Sequence, residues 1–163
     1  MPVYAEKHWD KFCFTLEPTQ VFSDVFVTGE IARQFDTKEI TKGLFLDPEG
    51  KDVDFVIDDQ SLIINTSKGL VVLLGCCHAG VANTLETVAD FTGEKKFYMV
   101  LGGMHLSNAS EDTMRETVQG LHKFHVQKIG LAHCTGHRGT EALTRLFSGE
   151  IFSCDVGDVI QLE

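Results

Sequence analysis

Short apolar runs alternate with amphipathic stretches from residue 61 to the end of this 163-residue chain, and that alternation is its strongest constraint on fold. Ser61–Thr66 and Leu70–Leu74 read as two strands, and the Ser67-Lys68-Gly69 turn between them predicts a hairpin. Val81, Leu85, Val88 and Ala89 fall at helical spacing and predict a helix over Val81–Phe91. Phe97–Leu101 is a short apolar strand. Met114, Val118, Leu121 and Phe124 form one stripe of a predicted helix over Glu111–His125, with Ser110 as its N-cap. Lys128–Ala132 predicts a strand, Gly139–Phe147 a helix, and Ile151–Cys154 and Val159–Leu162 two closing strands around a Val156-Gly157-Asp158 turn. Strands alternating with helices imply α/β layering, with helices flanking a sheet.

Residues 1–60 are less regular. They hold all three prolines (Pro2, Pro18, Pro48) and the acidic loops Asp36–Lys42 and Asp47–Asp59, with strand-like runs only at Val25–Thr28 and Leu44–Leu46. The length suits one domain over 1–163, irregular before residue 61 and regular after it. A 43% hydrophobic content excludes a disordered chain. No run reaches the roughly 18–20 apolar residues of a membrane span, and MPVYAEKHWDKF has no apolar signal-peptide core. Fourteen basic against 24 acidic residues give a net charge of −10, which argues against nucleic acid or an anionic membrane as partner. Five cysteines, two of them adjacent (Cys76, Cys77), do not make a disulfide framework. Reduced thiols in a cytoplasmic protein are expected. At least one of the adjacent pair reads as a small buried residue, and without a CxxC pair a structural zinc knuckle has no support.

The functional signal is the placement of three histidines. His78 follows Leu70–Leu74 in Gly75-Cys76-Cys77-His78-Ala79-Gly80. His105 follows Phe97–Leu101 in Gly102-Gly103-Met104-His105-Leu106, and His133 follows Lys128–Ala132 in His133-Cys134-Thr135-Gly136-His137. Ligand sites of α/β sheets collect outside the carboxyl ends of the strands. If these strands are parallel neighbours, the three imidazoles share one crevice, and nearby glycines let backbone approach a ligand. Neutral imidazole is the commonest metal ligand, and a divalent ion held there polarises a phosphoryl or carbonyl oxygen.

Other features carry less. His122 and His125 suit the solvated C-terminal end of the long helix, where the dipole favours cations. His137 is a neighbour of the site in a loop. Asp58-Asp59 reads as a turn before a strand, with Asp59 an additional metal-ligand candidate. A GxGxxG fingerprint, a GxxxxGK[ST] loop and a GxSxG elbow are absent.

Taken together, Val27-Thr28-Gly29-Glu30-Ile31, Asp58-Asp59-Gln60-Ser61-Leu62, Gly75–Gly80, Gly102–Leu106 and His133–Gly136 resemble the metallo-β-lactamase-fold hydrolase superfamily. Within it, the sequence resembles the branch of the dihydropterin-methyl-ribofuranosyl-aminobenzene phosphate synthases. The resemblance spans roughly residues 21–163 and implies a four-layer αββα sandwich with a dinuclear metal site at one edge. It implies His78 and His133 as metal ligands and His105 on the substrate side; the backbone near Gly103 and Gly136 is read beside these as substrate-binding. Zinc is the first expectation for the ion, iron or manganese the alternatives.

The superfamily's main metal motif, HxHxDH, is absent, and in the family it lies upstream of the matched region. The chain is therefore expected to form the C-terminal part of such a sandwich. Bound metal is then weak or absent, activity alone is slight, and no residue is assigned as catalytic. The expected partners are a phosphate-bearing or pterin-type small molecule, and a second copy of the chain or the missing N-terminal half. Two other readings stand beside this one. The crevice can serve as a non-catalytic small-anion site built on amides near Gly103 and Gly136. Alternatively, His78, His105 and His133 can form a mononuclear three-histidine centre with an open fourth position.

Overall fold

A computed structural model describes residues 7–162 of the chain. Among them, seven strands form one sheet: β1 (Thr19–Phe22), β2 (Val25–Val27), β3 (Ser61–Thr66), β4 (Gly69–Leu74), β5 (Phe97–Gly102), β6 (Lys128–Leu131) and β7 (Glu150–Ser153). Their spatial order follows the sequence, with β1 to β4 antiparallel and β4 to β7 parallel. Each parallel connection carries a helix: α1 (Val81–Thr92), α2 (Glu111–Lys123) and α3 (Gly136–Leu146). Every crossover steps the chain one strand further in the same direction. Crossovers of one hand then lay all the helices on one face.

That face holds the main core. Val72, Val100 and Ile129 from the sheet meet Leu85, Val88, Leu121 and Leu143 from the helices. The helices pack closely: a Cβ at Gly120 would stand 3.0 Å from the Cα of Ala82. Ser110 caps α2 as predicted, its hydroxyl accepting from the Thr113 N–H. The opposite face carries Val71, Met99 and Leu101, with Ile160 and Leu162 of the C-terminal segment packed against it. The described residues thus present one helical layer packed on one mixed sheet.

Residues 28–60 have little regular structure, yet side chains tie them down. Asn83 of α1 accepts from the N–H groups of Gln34 and Phe35 and donates to the Phe35 carbonyl. Arg33 donates to the carbonyls of Phe55 and Val56. Asp47 accepts from the backbone of Asp52, Lys51 and Glu49, and those bonds hold its carboxyl below the usual carboxylate range. Glu39 accepts from the hydroxyls of Thr113 and Ser110 at the start of α2, which lowers its pKa.

Several sequence expectations are corrected. Val159–Leu162 is not a strand; its apolar residues cover the sheet face instead of pairing their backbone. β1 is an additional strand, and Leu44–Leu46 reduces to a single bridge between Phe45 and Val53. The long helix stops at Lys123, so His125 lies beyond it in a left-handed turn (φ 48°), while the His122 ring packs against Phe147. The last helix begins at Gly136, which places His137 in its exposed first turn. No helix of the described residues is long and apolar enough to cross a membrane.

Candidate metal and ligand site

The parallel register aligns Leu74 with Gly102 and Gly102 with Leu131, so three strands end side by side. The turns after them are stitched together. Gly103 N–H donates to the Gly75 carbonyl at 3.0 Å, and Ala132 N–H to the Gly102 carbonyl at 3.2 Å. Met104 N–H donates to the Thr135 hydroxyl, and Leu106 N–H to the Cys134 carbonyl, both at 3.1 Å. Space is tight: a Cβ at Gly103 would stand 2.6 Å from the Gly75 carbonyl oxygen and 2.7 Å from Cys134 Sγ.

Each strand end carries a non-glycine residue in the left-handed region: Cys77 (φ 60°), His105 (φ 49°) and His133 (φ 49°). This conformation costs roughly 1–2 kcal/mol for an ordinary L-residue, and such strain gathers at functional sites. Two of the three are histidines of the row, and the third, Cys77, immediately precedes His78.

The structure sorts the predicted residues into two groups. The rings of His78 and His105 pack together, tilted by 46° with centroids 4.4 Å apart, and the Nδ1 atom of each is buried without a hydrogen-bond partner. Burial, then the charge of His78, hold the His105 imidazole below its ordinary pKa of 6.5, and His133 adds to this while Asp59 opposes it. Asp59 is buried and its Oδ2 accepts from the Ala79 N–H at 2.9 Å, one residue from His78. His133 is exposed and lies with a different set: its Nε2 is 3.1 Å from Cys76 Sγ. Among the described residues, Cys76, His133 and Cys134 are the only three such groups whose donor atoms all lie within 4.8 Å of one another. The three histidines do not converge in this way. Gly103 packs beneath Cys134 and His133, and Gly136 (φ 64°) packs against Ser107.

Cys77 is fully buried, as expected for one of the adjacent pair, and burial pushes its thiol up to about 12. Burial likewise raises the Cys134 thiol to about 11. Local spacing does not reveal Cys76 and Cys134 as partners, because they follow different strands and form no CxxC pair. The signal that could find them is a cysteine close to a strand end on each of two strands, one of them beside a histidine.

Two cavities flank the row. One of about 560 Å³ is lined by His105, Ser107, Asn108, Cys134, Lys42 and Glu39. The other, about 360 Å³, is lined by His133, Thr135, Gly136, Phe152 and Asp155 among others.

A family scan matches no family model to this chain. Among curated proteins, the chain is 30% identical over 161 residues to the 7,8-dihydropterin-6-methyl-4-(β-D-ribofuranosyl)-aminobenzene-5′-phosphate synthase of Methanocaldococcus jannaschii, covering 96% of the chain and 54% of that protein. It is 28% identical over 132 residues to an uncharacterised protein of the same archaeon, covering 80% of the chain and 47% of that protein. The chain thus spans about half the length of the curated relatives it matches. A crystal structure of a metal-dependent hydrolase of the β-lactamase superfamily superposes with a TM-score of 0.75 at 28% identity, over 90% of this chain and 57% of that one. A diflavin flavoprotein fragment from Nostoc shares the fold alone, with a TM-score of 0.53 at 10% identity over 91% of this chain and 53% of its own.

Proposed function

By sequence and by fold this chain is related to the metallo-β-lactamase superfamily, and on that premise we propose that it is the metal-binding and substrate-facing part of a metal-dependent hydrolase or transferase. Its substrate is a phosphate-bearing or pterin-type small molecule. The reading is carried by the buried, unpartnered Nδ1 atoms of His78 and His105 at the carboxyl ends of adjacent parallel strands. A buried polar atom with no partner is costly. Ring nitrogens left in that state suit a ligand arriving from outside the chain.

The proposed donor set is one for a single divalent ion, with His133 as a donor and with His78 and Asp59, which group apart from it beside His105, as the further candidates; zinc is the first choice, and iron or manganese also suit imidazole and carboxylate. It does not fit a dinuclear centre, because HxHxDH is missing from these 163 residues. Such an ion supplies Lewis acidity toward a phosphoryl or carbonyl oxygen. The chain's own residues orient the substrate. Lys42, Ser107 and Asn108 offer a cation and polar donors to an anionic group in the larger cavity, with His105 at its wall. The tight turns at Gly103 and Gly136 bring backbone close to that wall.

Activity is expected to be slight without further ligands from a complementary half or a second copy. Exposed Phe14, Leu16 and Phe22, in and just before the edge strand β1, suit packing against either.

Metal per chain, measured by plasma mass spectrometry after chelator-free purification, tests this. A single ion in the wild type, lost in His133→Ala together with any hydrolysis of a chromogenic phosphoester, supports the reading. Equal, substoichiometric metal in both proteins sinks it. The Lys42-lined cavity favours a second reading, a metal-independent anion module. Inorganic phosphate binding by calorimetry in chelator, abolished by Lys42→Ala, would select that one.

A further inference from the structure

We propose that Cys76, His133 and Cys134 form a mononuclear thiolate–imidazole site for a borderline-soft divalent cation such as zinc, open at its fourth position. The proposal rests on the reading of His133 as a metal donor and deepens it. It moves the ion's other ligands from histidine and carboxylate to two sulfurs.

Geometry comes first. The three donor atoms lie within 4.8 Å of one another, and Cys76 Sγ is 3.1 Å from His133 Nε2. A tetrahedral zinc, with sulfur at about 2.3 Å and nitrogen at about 2.0 Å, sets its donors about 3.5–3.8 Å apart. The trio meets that span with small side-chain adjustments.

The surroundings are equally specific. A Cβ on Gly103 would stand 2.7 Å from Cys134 Sγ and 3.3 Å from His133 Cδ2, so only glycine leaves room for both donors. The Cys134 carbonyl accepts from the Leu106 and Ser107 N–H groups and from the Ser107 hydroxyl, which fixes the backbone behind the sulfur. His133 and Cys77, each adjoining one of the cysteines, hold strained left-handed backbone. Close packing, hydrogen bonding and strained backbone thus converge on one accessible trio.

Donor chemistry selects the ion. Two thiolates and an imidazole disfavour magnesium and calcium and suit zinc, cobalt and copper. Binding releases two thiol protons to solvent, and the resulting site carries no net charge, which lowers the cost of its half-buried position. His133 lines one cavity and Cys134 the other, so the trio is reached from both.

Cobalt(II) titration of the chelator-stripped full chain tests the proposal, read by the near-ultraviolet thiolate-to-cobalt charge-transfer band. One cobalt should bind with that band. Cys76→Ser and Cys134→Ser should each remove about half the band and weaken binding tenfold or more, while Cys13→Ser leaves it intact. Circular dichroism monitors folding, and Cys76→Ser alone carries the test if the more enclosed Cys134→Ser unfolds. Cobalt bound without a charge-transfer band and lost in His78→Ala would overturn this site while sustaining the nitrogen–oxygen reading above. A band unchanged in both cysteine variants would overturn it too. No cobalt bound at all would overturn both readings.

Discussion

The helix-covered core and the row of strand ends are built from the same parallel strands and obey opposite rules. In the core, Val72, Val100, Leu85 and Leu121 are fully buried, apolar and placed where periodicity puts them. A few residues beyond the strands, Cys77, His105 and His133 hold left-handed backbone, and two buried ring nitrogens lack partners. The core is where local preference and global fold agree. The strand ends are where they conflict, and in natural proteins such conflicts concentrate at functional sites. The core supplies the stability against which the strain is held.

Four substitutions or conditions sharpen this contrast, in descending order of effect. Leu85→Ala empties a site with no exposure, and should cost about 3 kcal/mol in urea unfolding. A cost below about 1 kcal/mol would mean that the helical layer is not the main source of stability. Gly103→Ala forces a methyl against the Gly75 carbonyl and Cys134 sulfur, and should cost about 2 kcal/mol while lowering metal affinity. Unchanged stability and affinity would show that the turns are looser than their hydrogen bonds imply.

His133→Gly should act in the opposite direction in metal-free protein. It relieves a left-handed backbone and removes an exposed ring, so a gain of about 0.5 kcal/mol is expected, together with loss of metal binding. Destabilisation would mean that the ring itself holds the turn. The smallest effect is on pH dependence. Because the folded chain holds His105 below 6.5, the unfolded chain takes up the proton first as pH falls. Metal-free protein should therefore keep this contribution above pH 6.5 and lose it as pH falls below that value toward the folded pKa. His105→Gln should flatten that part of the profile, and an identical profile in the variant would contradict the assignment.

Much of this contrast is legible in the sequence. Alternation and helical spacing locate the β3–β4 hairpin, the three helices and strands β5 to β7, because those segments bury one face against a continuous core. The position of His78, His105 and His133 just past strand ends is equally readable. Where the sequence misleads, the reasons are physical. Val159, Ile160 and Leu162 look like a strand because of their apolar pattern, yet Ile160 and Leu162 pack onto a sheet face without pairing. Thr19–Phe22 sits at a largely exposed sheet edge and leaves little apolar pattern. Grouping the site is harder still. Cys76 and His133 are 57 positions apart and meet only through the register of three parallel strands, which no local spacing encodes.

The central claim is that the strained strand ends exist to hold a cation. Anomalous X-ray scattering at the zinc edge, from crystals grown with zinc, tests it most directly. The account predicts one strong peak at bonding distance, about 2.0–2.3 Å, from a His133 ring nitrogen and at least one further strand-end donor. Zinc found only at surface carboxylates, with the strand ends bare, would contradict it.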